Sequence, residues 1–298
     1  MKDEFIYNVK RHGEKGKMWL AKIPEIIKEY EKKWSLHVLS PYNLTYNYVA
    51  PVVQSNGDKA VIKIGMPWEN EFLNEIDALK VFNGDAVSKL LKADKKDYVM
   101  LIQQIQPGVP LSTLEDDDKA TEILASIMQK MQKPLPENNS FITIYEWTRN
   151  LREYPQQATH AIPQEIAKEG ISLFDYLIQS SQQAVLTHGD LHHDNVLSSG
   201  DSNWIAIDPK GIAAEPLYDV AALIRNPYKK VRVLHNAELE NLFSRRIRIL
   251  SRELDADPKR IQKWCLAQTI LSGVWSADTK EYVDHSLRII AALKKINF

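Results

Sequence analysis

The apolar positions of this chain switch between helical and strand spacing several times. Residues 21–34, "AKIPEIIKEYEKKW", repeat at helical spacing. Two β-rich runs follow, "NYVAPVVQ" (47–54) and "KAVIKIG" (59–65), on either side of "SNGD". Asn56-Gly57 between such runs is a strong hairpin signal. Taken as a two-residue turn, it predicts that Ser55 faces Asp58 and Ala50 faces Lys63. Helical spacing returns over 68–82, "WENEFLNEIDALKVF", with Phe72, Ile76, Leu79 and Phe82 as the apolar stripe. "DAVSKLLKAD" and "DYVMLIQQIQ" have strand character. "PGVP" (107–110) is a cluster of breakers and sets the expected lobe boundary, giving a first lobe of residues 1–106 and a second of 107–298. The second is patterned as helix over 116–132, 143–151, 164–181, 216–224, 236–254, 258–276 and 280–295. It is interrupted by "NVLSSGDSNWIAID" (195–208), strand-like on both sides of a Gly-Asp turn. The fold class expected is α+β, with a small β-rich lobe and a larger, mainly helical one.

Composition narrows the function classes. Lys plus Arg number 38 and Asp plus Glu 39, for a net charge of −1, so no basic balance points to nucleic acid. The first 25 residues are charged and lack the apolar core of a signal peptide. No run of 18 apolar residues is present to cross a membrane. The single cysteine, Cys265, lies in the apolar run "WCLAQTIL" and reads as a buried, inert thiol. One thiol cannot form an internal disulfide, so a reducing, cytoplasmic compartment is expected.

The densest chemistry is "LTHGDLHHDNVL" (186–197). If Gly200 to Asn203 form the turn of the embedded hairpin, Ser199 faces Trp204 and Asn195 faces Asp208. Facing residues have Cβ atoms about 4.5–5.5 Å apart, so an amide oxygen and a carboxylate could share one small cation. Hard oxygen donors favour Mg²⁺. Asp190, five residues before Asn195, enters the same cleft as a carboxylate outside the metal shell. Phosphoryl transfer needs these parts: a group to orient the acceptor hydroxyl, and metal to neutralise phosphate charge. Asp, Asn and Gly are also ordinary turn residues, so a solvated turn fits the same letters. A site built from His188, His192 and His193 would instead suit a metal-dependent hydrolase. Zinc wants convergent ligands, which the adjacent His192 and His193 do not obviously supply. Asp194 beside them reads as a capping or surface residue.

The β-rich lobe adds a second feature. Lys63 sits in the apolar strand "AVIKIG", where a solvated edge lysine is the plain reading. Glu75 falls between Leu79 and Phe82 on the core face of its helix. A carboxylate there wants a cation. Lys63 is a candidate, and Glu71 is Glu75's rival for it. A Lys–Glu pair presenting its ammonium to phosphates is the nucleotide clamp of the protein-kinase fold.

"THGDLHHDNVL" followed by "IAIDPKG" resembles the aminoglycoside phosphotransferase family, whose pattern is H-x-D-x-x-x-x-N and then a metal-binding Asp on a protein-kinase-like fold. "YNYVAPV…KAVIKIG", "EIDALKVFNGDAVSKLL", "IQPGVPL", "EPLYDVAALIRNP" and "LSGVWSAD" run in order as in the streptomycin and hydroxyurea phosphotransferases, over most of residues 40–280. The resemblance implies a two-lobed kinase using ATP, or GTP in its place, with Mg²⁺ and a small-molecule hydroxyl acceptor. It assigns Asp190 to the acceptor hydroxyl, Asn195 and Asp208 to Mg²⁺, and Lys63, held by Glu75, to the α- and β-phosphates. The backbone of Gln103 and Ile105 would meet the adenine. Asp219 would brace the catalytic loop, and His188 would position it. The chain departs from protein kinases in having no glycine in "NLTYNYVA" (43–50), so Thr45 or Asn47 side chains would help at the phosphates. "DPKG" replaces D-F-G. Pro209 stiffens that segment, and Lys210 reads as a solvated lysine or a further cation near the phosphates.

The acceptor implied is a streptomycin-like aminoglycoside or hydroxyurea. Guanidinium groups call for aromatic faces and carboxylates. The second lobe offers Trp264, Trp275, Asp278, Glu281, Tyr282 and Asp284, of which Trp275 and Asp278 lie in "LSGVWSAD". Trp275 could equally pack a helix interface. Kinase activity on an unrelated metabolite, and nucleotide binding without catalysis, are the remaining alternatives.

Overall fold

The computed structural model describes residues 3–156, 161–200 and 202–298. The chain divides into two compact units, one ending at Gly108 and one running from Val109 to Phe298.

The first unit holds α1 (Asp3–Lys10) and α2 (Glu14–Trp34), then strands β1 (Leu36–Val38), β2 (Tyr48–Gln54) and β3 (Lys59–Ile64). Helix α3 (Asn70–Phe82), β4 (Leu90–Asp94) and β5 (Val99–Gln103) complete it. The antiparallel sheet has the order β1-β2-β3-β5-β4. Trp19, Ile23 and Tyr30 of α2 are buried in one cluster with Val52, Ile62, Ile64 and Leu101. The sequence pattern starts this helix at 21, but it begins at Glu14, and α1 was not expected. Gly16 accounts for part of the difference. It interrupts the apolar period, yet it lies against α1, where a Cβ would stand 2.1 Å from the Val9 carbonyl oxygen. The stripe expected on α3 is the buried one: Phe72, Ile76, Leu79 and Phe82 are all inside.

The β2–β3 register is displaced by one residue from the expected one. Val53 pairs with Lys59, Ala50 with Ile62, and Lys63 with Val49. The loop has three residues, Ser55 to Gly57, closed by Gln54 N–H donating to the Asp58 carbonyl at 2.8 Å. Asn56 Oδ1 accepts from Asp58 N–H at 3.0 Å, and Gly57 takes φ +87°. A two-residue Asn-Gly turn needs positive φ at both residues; here glycine alone supplies it.

The second unit contains α4 (Asp117–Met131), α5 (Ile144–Trp147), α6 (Arg149–Glu153), α7 (Gln164–Gln179), α8 (Val220–Ile224), α9 (Tyr228–Val231), α10 (Asn236–Leu254), α11 (Pro258–Trp275) and α12 (Lys280–Lys295). The helix expected over 143–151 is two short ones, meeting at Thr148. α11 is buried on nearly every face and packs against α7, α8, α10 and α12. An all-round apolar helix is the signature of such a central position. Cys265 lies on it, fully buried, and burial pushes its thiol pKa far up. Two strand systems flank the segment 188–195. The hairpin of β9 (Val196–Ser198) and β10 (Trp204–Ala206) was expected. The sheet β6-β8-β11-β7, made of β6 (Lys133–Pro134), β7 (Ile142–Thr143), β8 (Val185–Thr187) and β11 (Ile212–Ala214), was not. Strands of two or three residues leave no periodicity to detect.

Candidate active site

Strand β8 delivers the chain into His188-Gly189-Asp190. Gly189 has φ +86°, and a Cβ there would lie 2.6 Å from Ile212 Cγ1 and 2.9 Å from Lys210 Cβ. Only glycine makes this turn without strain. The buried Asp219 carboxylate accepts from both sides of it, from His188 N–H at 2.8 Å and Gly189 N–H at 2.7 Å. Burial raises the Asp219 carboxyl to about 7, against the pull of those two donors.

The His188 ring is a relay between two segments. Its Nε2 lies 2.9 Å from the Ile207 carbonyl oxygen, which can only accept, so the ring proton is on Nε2. Nδ1 therefore accepts from Asp190 N–H, at 3.2 Å. The His188 carbonyl takes Lys210 N–H at 2.6 Å. Burial lowers the ring pKa to about 4, which keeps it neutral in this role.

The β9–β10 register corrects the second hairpin expectation. Ser198 pairs with Trp204 and Val196 with Ala206, so Ser199 closes on Asn203 and Asn195 faces Ile207, not Asp208. Ile207 N–H donates to the Asn195 carbonyl at 2.9 Å. The loop is again three residues long, with positive φ at Gly200 and Ser202. Asp208 stands one position past the ladder with φ +64°, which ends the strand alternation there. Asn195 and Asp208 thus occupy adjoining segments tied through Ile207. Asn195 Nδ2 donates to the Asp190 carbonyl at 3.0 Å, which leaves its Oδ1 without a donor among the described residues. Lys210 Nζ is 4.0 Å from the Asp208 carboxylate.

Asp190 is partly exposed. Arg225 Nη2 lies 3.7 Å from its Oδ1, and His192 Nε2 lies 3.7 Å from its Oδ2. Burial works to raise its carboxyl, but His192, Arg225 and Lys210 outweigh it and hold the group below the usual aspartate value. The three histidines have separate surroundings. His188 is bonded as above, His192 Nδ1 caps Asp194 N–H at 3.2 Å, and His193 is buried beside Asp117 and Arg246. Among the described residues no three His, Cys, Asp or Glu side chains form a metal-holding group.

In the first unit, Lys63 Nζ reaches Glu75 Oε1 at 2.8 Å and Oε2 at 2.7 Å, with both side chains buried. The rival Glu71 is exposed. Gln103 ends β5 and spends its N–H on the Lys89 carbonyl at 2.8 Å. Ile105 is buried, and its N–H donates to no group among the described residues.

The acceptor candidates separate by burial. Trp264 is in the core, edge-on to Phe174 and Tyr218. Trp275 is 39% exposed at the end of α11 and meets Trp147 edge-on at 5.2 Å. Asp278 lies exposed three residues on. Glu281 bonds the Tyr228 hydroxyl at 3.0 Å and Arg232 at 2.9 Å. Tyr282 and Asp284 are also exposed.

Residues 40–280 match the family described as aminoglycoside/hydroxyurea antibiotic resistance kinase. The chain belongs to this family. Streptomycin 6-kinase of Streptomyces griseus is 25% identical over 279 residues, covering 89% of this chain and 87% of that protein. Hydroxyurea phosphotransferase of Kitasatospora aureofaciens is 23% identical over 283 residues, covering 90% and 77%. Among solved structures, an amicoumacin kinase in complex with AMP-PNP and Ca²⁺ superposes with TM-score 0.64 at 15% identity, over 94% of this chain and 96% of that one. That likeness speaks for the fold, which is kinase-like, with a β-sheet first part and a mainly helical remainder.

This resistance kinase is therefore a phosphotransferase with an alcohol group as acceptor. Among the described residues no helix is long and apolar enough to cross a membrane. Arg225 is the site residue that sequence reasoning missed. The available signal was an arginine directly after the apolar run "VAALI", where a charge going inside needs partners.

Proposed function

We propose that this resistance kinase uses ATP with Mg²⁺ to phosphorylate a hydroxyl of a streptomycin-like aminoglycoside, with hydroxyurea as the other acceptor. The observation that carries the proposal is the relay through His188. It ties the backbone of Asp190 to Ile207, the residue before Asp208, while Asn195 is tied to both stretches.

In this reading residues 107–298 supply catalysis and the acceptor site. Asp190 orients the acceptor hydroxyl and takes up its proton as the new O–P bond forms and the bond to ADP breaks. Its ionised state suits that task. Asn195 Oδ1 and the Asp208 carboxylate are hard oxygen donors and would hold Mg²⁺. Bound Mg²⁺ neutralises phosphate charge. Asp219 and His188 keep the loop in place. Residues 1–106 bind the nucleotide: Lys63, steadied by Glu75, meets the α- and β-phosphates, and the backbone of Gln103 and Ile105 meets the adenine. The unspent N–H of Ile105 supports that last assignment. Trp275 and Asp278 would receive a guanidinium, as an aromatic face and a carboxylate.

The test is ATP consumption by purified protein against streptomycin, other aminoglycosides, hydroxyurea and common sugar and amino alcohols, with product mass. Phosphorylated streptomycin or hydroxyurea is the expected product. Turnover only with an unrelated alcohol would sink the acceptor assignment and leave the kinase chemistry standing.

A further inference from the structure

Arg225 follows the last residue of α8, with only 15% of its side chain exposed. One edge of its guanidinium is fixed. Nη1 donates to the Ala221 carbonyl at 3.3 Å and to Gln268 Oε1 on α11, itself 2% exposed. The other edge is not spent on the fold. Nη2 has no hydrogen-bond acceptor among the described residues and stands 3.7 Å from Asp190 Oδ1. That separation is too long for a hydrogen bond, so the attraction is Coulombic and leaves the carboxylate lone pairs available. A planar guanidinium anchored on one edge is pre-organised, unlike a lysine ammonium.

We propose that Arg225, buttressed by Gln268, is a positioning residue for Asp190: it draws Oδ1 toward α8 and so fixes the direction in which the carboxylate meets the acceptor hydroxyl. This rests on the assignment of Asp190 to the acceptor given above.

A double-mutant cycle tests it. Arg225→Gln is expected to lower kcat by about 100-fold, the scale of misplacing a reacting group by an ångström. ATP KM and nucleotide affinity should stay unchanged. In an Asp190→Asn background the same change should cost less than about twofold, since a residue acting through Asp190 has nothing left to position. Arg225→Lys keeps the charge and should recover part of kcat. Gln268→Ala, which frees the guanidinium, should show the same non-additive loss and serves if Arg225→Gln does not fold. An equal loss of kcat in both backgrounds, or no loss in the wild-type background, overturns the inference. If Asp190→Asn by itself leaves turnover intact, the assignment of Asp190 has failed, and the role of Arg225 falls with it.

Discussion

Lys63 donates to both carboxylate oxygens of Glu75, at 2.8 and 2.7 Å, from buried positions on β3 and α3. The pair explains why a glutamate stands inside an apolar helix stripe. Removing one member takes from the other the charge that it meets at these two buried contacts. Glu75→Ala should therefore destabilise the protein by about 3–5 kcal/mol, by analogy with other broken buried pairs. Denaturant unfolding would read this directly. A loss below about 1 kcal/mol would mean the pair is worth no more than an exposed one.

Gly189→Ala should cost both stability and turnover. The left-handed φ of +86° and the 2.6 Å approach to Ile212 act together. Strain of this kind costs about 1–3 kcal/mol, and the residue it displaces is Asp190. Asp194→Ala, four residues on from Asp190 and exposed, is the comparison and should change stability little. Similar unfolding midpoints and kcat for the two variants would refute the steric account.

Helix placement was largely legible because apolar spacing is set by burial, and α3, α4, α7, α10, α11 and α12 follow it closely. Both hairpins were legible, and both registers were wrong by one. The cause is shared: Gly57, and Gly200 with Ser202, carry positive φ in three-residue loops, and a loop longer by one displaces every pair. Asn195 and Asp208 still lie on adjoining segments. What joins them is the His188 ring and Ile207 backbone rather than direct opposition. The sheet around β8 and β11 and the reach of Arg225 to Asp190 were not legible. Pairing between strands of two or three residues, and contacts across 35 residues of chain, leave no local pattern.

Stability should fall as pH drops from about 6.5 to about 4. Burial lowers the rings of His188 and His285 to about 4 in the folded state, against an ordinary value of 6.5. At these two rings the unfolded chain therefore binds protons first as pH falls, so their contribution is full above 6.5 and is lost on the way to 4, and Asp219, raised to about 7 in the folded state, offsets part of that loss. His285 offers the cleaner test. It is buried and packs edge-on to Tyr228 at 4.8 Å. His285→Phe should fold and flatten the decline seen in urea unfolding between pH 7 and 5. An unchanged slope would contradict this.

Asn195→Ala and Asp208→Ala should each raise the Mg²⁺ concentration needed for half-maximal turnover by at least about 10-fold, a loss that even outer partners of metal sites cause. Folding should be largely intact, because neither side chain is buried. Activation curves that superpose on wild type would remove both residues from the metal site.

The central claim is that Asp190 acts on the acceptor in the transferring step. Measuring ATP turnover by Asp190→Ala with streptomycin or hydroxyurea, beside its ATP affinity, tests it most directly. The predicted result is a kcat lower by about 10²–10⁴-fold, the range for a positioned acid–base group, with ATP still bound. A variant that turns over at the wild-type rate would contradict it.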